Sequence, residues 1–127
     1  MEAPVKYLVL IYTNPQARKL WEQLPAAEKS AGLQIYAALN EELAASGEMI
    51  VSESLADPSL AKRVTVRDGE VTTTDGPFAE AKEHLAGFYL VECDSIDRAT
   101  EIAARIPEAE VGELEVWPVR TLSGLEM

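Results

Sequence analysis

Two stretches of the chain are apolar at nearly every position: VKYLVLIY at residues 5–12 and HLAGFYLVEC at residues 84–93. A strand without a polar face belongs in the interior of a sheet that is covered on both sides. EMIVSESL (48–55) reads as a further strand. In ELEVWPVR (113–120), Leu114 and Val116 alternate with Glu113 and Glu115, the period of a strand with one buried face. RVTVRDGEVTTT (63–74) places Asp68-Gly69 between short β-branched runs, which is the signature of a hairpin.

Between the strands the period changes to that of helices. Asn14-Pro15 ends the first strand, and a short helix is expected at about Ala17–Leu24. After Pro25 a longer helix runs to about Ala45, with Ile35, Ala38, Leu39 and Leu43 predicted as its inner face and Ser46-Gly47 as its stop. Asp94 or Ser95 can cap a last helix, SIDRATEIAARI, whose inner face is predicted as Ile96, Ala99, Ala103 and Ile106, closed by Pro107. With the hairpin set aside, the order is β-α-β twice. That order predicts an α+β fold, a ferredoxin-like βαββαβ sandwich with an inserted β-hairpin at about 63–74, in a single domain over 1–127. Both helices then cover one sheet face. The other face needs a second subunit, so a homodimer with sheets packed face to face is expected.

Composition narrows the partners. The 127 residues are 47% hydrophobic, enough for a core without staples. The net charge is −11, from 22 acidic and 11 scattered basic residues, so a nucleic-acid partner is not expected. No apolar run reaches the roughly 20 residues of a membrane helix. MEAPVKYLVLIY lacks the basic start and cleavage site of a signal peptide, and Cys93 has no partner for a disulfide. A cytoplasmic protein with no membrane partner is the expectation.

The chemistry-bearing side chains gather in TTTDGPFAEAKEHLAGFYL (72–90). Gly76 and Pro77 are turn residues, and Asp75 suits an Asx-turn. On the functional reading, Asp75 or Glu80 serves as a base or ligand anchor on a preset loop. His84 follows Glu80 by four residues, and a carboxylate–histidine pair is suited to proton transfer. On the structural reading, His84 is a half-buried strand residue or one exposed at the start of the strand. Asp75, Glu80 and His84 are therefore the catalytic candidates, and Tyr36, Phe78, Tyr89 and Lys82 the ligand-binding ones. One His and one Cys do not make a zinc site, so no metal and no cofactor is expected. Cys93, between Glu92 and Asp94, is read as structural. There is no phosphate-loop or nucleophile-elbow pattern.

The run VRDGEVTTTDGPFAEAKEHLAGFYLVECDSIDRATEIAARIP followed by GELEVWPV resembles the DGPF-domain branch of the YCII-related proteins, and KYLVLIY and YAALNEELAASG fit it as well. The resemblance implies a ferredoxin-like fold pairing as a dimeric α/β barrel. It also implies a bacterial setting in which many members are associated with an extracytoplasmic-function sigma factor. In the smaller YciI-like branch a His–Asp pair is proposed as catalytic. The position that best matches its His is Tyr36 here, so that dyad does not carry over. A related dehydrochlorinase of chlorinated hydroxyquinols implies lyase chemistry by analogy alone. Three functions follow: a homodimeric small-ligand-binding or accessory protein, a cofactor-free lyase or isomerase on a small aromatic or polar substrate, and a domain that binds a protein partner.

Overall fold

A computed structural model describes residues 5–78 and 82–120. Strand β1 (Val5–Thr13) leads into helix α1 (Pro15–Gln23) and helix α2 (Ala26–Ser46). Strand β2 (Met49–Ser54), the hairpin β3 (Lys62–Arg67) and β4 (Glu70–Asp75), and strand β5 (His84–Cys93) follow. Helix α3 (Ile96–Ala104) and strand β6 (Leu114–Pro118) complete the order. The four-stranded sheet runs β2-β5-β1-β6 with every neighbouring pair antiparallel. This is the ferredoxin-like α+β arrangement that the strand and helix order predicted.

Local chemistry sets the element ends. Asn14 both closes β1 and caps α1, its side-chain oxygen accepting from the Ala17 N–H at 2.7 Å, with Pro15 at the first helical position. The α2 helix closes where the N–H groups of Gly47 and Glu48 return to the carbonyls of Ala44 and Leu43. Ser95, not Asp94, caps α3 by accepting from the Arg98 N–H at 3.1 Å. Asp68 and Gly69 both have positive φ, 51° and 80°, as a two-residue hairpin turn between β3 and β4 requires.

The core lies between the sheet and its helices. Tyr7, Val9 and Ile11 of β1 and Tyr89, Val91 and Cys93 of β5 point into it. Leu39 and Leu43 meet them from α2, and Ala99, Ile102, Ala103 and Ile106 from α3 and the residues after it. Two predicted faces are corrected. Ile35 and Ala38 lie exposed, and Tyr36 packs against the core instead. Tyr36, Leu39 and Leu43 keep the i, i+3, i+7 spacing, so the same helix is rotated toward a residue whose aromatic body counts as apolar. In α3, Ile96, the first helical residue, is exposed, and Ile102 is inside, where the i, i+3, i+4, i+7 spacing of Ala99, Ile102, Ala103 and Ile106 puts it on the buried face.

Among the described residues, no helix covers the second sheet face. Leu8 stands opposite Leu90 and Trp117, and Leu10 opposite Phe88. Leu8, Leu10, Phe88 and Leu90 are partly exposed, and Trp117 keeps 55% of its surface open.

Candidate functional site

The turn after β4 is built around a close backbone approach. The Gly76 N–H donates to the Ala61 carbonyl at 2.8 Å, and a Cβ on Gly76 would sit 2.2 Å from the Pro58 carbonyl oxygen. Only glycine fits there. The Gly76-Pro77 bond is cis. Phe78 lies under the Arg63 guanidinium, 4.1 Å from carbon to ring centroid, a cation–π stack that ties the turn to β3.

Around this turn the sequence candidates have separate positions. Asp75 pairs with Lys62 at 2.6 Å and its side chain is 74% exposed. His84 begins β5, half-buried, opposite Thr13 at the end of β1. Lys82 is exposed. Glu80 lies outside the described residues. Among the described residues no group of three or more His, Cys, Asp or Glu side chains is gathered as for a metal ion.

A cleft of about 540 Å³ opens at the far end of β5, lined by Glu48, Glu92, Cys93, Asp94, Ser95 and Arg98 among others. Seven residues of β5 lie between His84 and the cleft's nearest strand residue, Glu92, about 26 Å of extended chain. The Arg98 guanidinium hydrogen-bonds Glu48 there and holds the carboxyl at about 2, against the opposing effect of burial. Burial pushes the Cys93 thiol up, and its Sγ donates to the Ser95 carbonyl at 3.4 Å. That environment disfavours a thiolate, in keeping with a structural cysteine.

A different polar group forms between α2 and the sheet. Tyr36, half-buried on α2, donates its phenol hydrogen to Glu108, in the short 3-10 turn (Pro107–Glu110) that follows α3. One helical turn further along α2, the side-chain oxygen of Asn40 accepts from the Tyr89 hydroxyl. Ser52 faces Tyr89 across the β2–β5 register. Burial, then the Glu108 hydrogen bond and charge, raise the Tyr36 phenol far above the ordinary tyrosine range. Burial raises Tyr89 as well, partly offset by its hydrogen bond with Ser52. Both phenols therefore stand neutral at pH 7, as donors. The cluster offers two phenols, a carboxamide, a hydroxyl and a carboxylate to any small molecule that reaches it.

Of the candidates read from the sequence, Tyr36 and Tyr89 come together in this cluster. Phe78, Lys82, Asp75 and His84 do not join it. Asn40, Ser52 and Glu108 were missed. Asn40 carried a signal, being four residues after Tyr36 on one helix face. Glu108 carried none, because only the packing of the turn after α3 against α2 brings it to Tyr36.

A family model described as the YCII-related domain matches residues 5–123. The chain belongs to the YCII-related family. It is 30% identical over 115 residues to an uncharacterized protein of Rhizobium meliloti (strain 1021), a match that covers 89% of this chain and 90% of the relative. By resemblance alone, Tyr36 of this YCII-related chain is the expected counterpart of the smaller branch's histidine. Its partner is the Glu108 carboxylate. No helix among the described residues is long and apolar enough to cross a membrane.

Proposed function

We propose that this YCII-related protein is a homodimeric small-ligand-binding or accessory protein whose ligand contacts are made by Tyr36, Asn40, Ser52, Tyr89 and Glu108. The observation that carries the reading is the convergence of the Tyr36–Glu108 and Tyr89–Asn40 hydrogen bonds beneath α2, in a layer otherwise filled by apolar side chains. Small-molecule sites set a few polar groups among apolar walls, the kind of lining that this group would present to a ligand. Asp75, the leading base candidate in the sequence, is paired to Lys62 in solvent, which favours binding over turnover. The uncovered face of Leu8, Leu10, Phe88, Leu90 and Trp117 supports the homodimer. A cytoplasmic setting tied to sigma-factor regulation is the biological context that the family resemblance suggests.

A thermal-shift screen of small polar and aromatic compounds tests the site. A hit lost in Tyr36→Phe and Tyr89→Phe is expected. A hit that survives both but disappears in Asp75→Asn or His84→Ala would move the site to the turn after β4. Light scattering tests the assembly, with a mass of one 13.9 kDa chain at micromolar concentration speaking against the dimer.

A cofactor-free lyase or isomerase is the second reading. The Tyr36–Glu108 hydrogen bond favours it, because it sets a carboxylate, a candidate base, beside a phenol held as a hydrogen-bond donor. Conversion of a bound compound that stops in Glu108→Gln while binding persists would establish turnover.

A further inference from the structure

The charge of the cluster beneath α2 limits what it can hold. Tyr36 and Tyr89 stand neutral at pH 7, and Asn40 and Ser52 carry no charge, so the formal charge of the group is the Glu108 carboxylate alone. Among the described residues, the Glu108 side chain has one hydrogen bond, from Tyr36, and no ion pair. Arg105, the nearest base along the chain, turns to Glu42 instead. A carboxylate drawn part-way out of water gains from a cation beside it, and here the protein supplies none.

The hydrogen-bond donors narrow the choice further. The Tyr36 phenol hydrogen goes to Glu108, and the Tyr89 hydroxyl hydrogen goes to the side-chain oxygen of Asn40. Neither phenol is left to receive an anion, and an anion would also meet the −11 of the whole chain, which draws cations. A magnesium or calcium ion takes about six or more oxygen ligands, whereas the cluster offers a single carboxylate. An organic ammonium ion needs less: a carboxylate to receive its N–H groups and an aromatic ring beside its charge. Tyr36, Asn40, Ser52 and Glu108 each keep part of their surface open, so the cluster is reachable from outside, above the buried ring of Tyr89.

We infer that the cluster takes a small organic cation, an amine in its protonated form, with the ammonium group on Glu108 and the carbon body against the Tyr36 ring. The inference rests on the small-ligand reading above and names the ligand class of that same site.

The test is a titration of the isotope-labelled full chain, followed by two-dimensional NMR at fixed ionic strength, with two matched sets of probes. One set is benzylamine, benzyl alcohol and benzoate; the other is butylamine, butanol and butyrate. The side-chain amide signals of Asn40 report binding in the cluster itself. Glu108→Gln removes the charge while keeping an acceptor for Tyr36, and Glu110→Gln removes one charge from an exposed position of the same turn. Tyr36→Phe tests the site whatever the charge of the ligand, and circular dichroism checks that each variant keeps its fold. The expected result is an amine bound about tenfold or more tighter than its alcohol and its carboxylate. That preference should vanish in Glu108→Gln and persist in Glu110→Gln. An alcohol or carboxylate bound as tightly as the amine, and lost in Tyr36→Phe, would overturn the cation and leave the ligand site standing. A preference that survives Glu108→Gln, or falls equally in Glu110→Gln, would be the pull of the acidic chain as a whole and would overturn it too. Asn40 signals unmoved by every probe at millimolar concentration would remove the cation and the ligand site together.

Discussion

Arg98 and Glu48 join the start of α3 to the start of β2 by a two-point ion pair, Nε to Oε2 at 2.8 Å and the second guanidinium nitrogen to Oε1 at 2.9 Å. Ser46 adds a hydrogen bond to the same carboxylate at 2.8 Å. Fifty residues apart in sequence, the two ends of this pair lock the edge strand β2 and the α2 stop to the helix that follows β5.

Acid should expose that lock. Glu48 sits at about 2 in the folded chain against an ordinary 4.5, so its contribution is fully present above pH 4.5 and is lost as pH falls toward 2. Glu48→Gln should lower unfolding free energy at pH 7 by about 1–2 kcal/mol, allowing for the partial exposure of Arg98. The gap between variant and wild type should close on titration to pH 2, read by urea unfolding. By contrast, Glu42→Ala, which frees the exposed Arg105, should cost under about 0.5 kcal/mol. A gap that stays constant with pH would remove the ionic account.

Alkaline titration reports on the tyrosine cluster. Burial and Glu108 hold the Tyr36 phenol neutral well past 10, so unfolded chains lose the proton first and stability should fall as pH rises above 10. Absorbance of tyrosinate near 295 nm should show a late component in the wild type. That component should shrink in Tyr36→Phe, leaving the smaller contribution of the raised Tyr89.

Substitution of Gly76 tests the turn. Its would-be Cβ meets a backbone oxygen at 2.2 Å, and backbone cannot swing aside as a flexible side chain can. Gly76→Ala should destabilise by about 1–3 kcal/mol, the range of overpacked sites. A neutral result in thermal melts would show that the loop of Pro58 relaxes away.

Two residues of α2 should separate sharply. Leu43 is fully buried and Ile35 is 53% exposed. Leu43→Ala should cost about 2–5 kcal/mol and Ile35→Ala under about 1 kcal/mol. Similar costs in denaturant melts would mean that Ile35 is buried in solution, as at a subunit contact.

Much was determined by the sequence alone, because it depended on neighbours along the chain. The apolar runs of β1 and β5, the alternation in β6, the Asp68-Gly69 turn, the break at Asn14-Pro15, a cap at Asp94 or Ser95 and the stop at Gly47 are local chemistry. The ferredoxin-like order followed from them. The rotation of α2 that buries Tyr36 in place of Ile35 was decided by packing, since the helical period fixes spacing but leaves the facing angle to the sheet. The pairing of Tyr36 with Glu108, 72 residues away, likewise exists only once the turn after α3 has docked against α2. A hydrogen bond across that distance leaves no period in a sequence, so the polar group beneath α2 belongs to the tertiary structure alone.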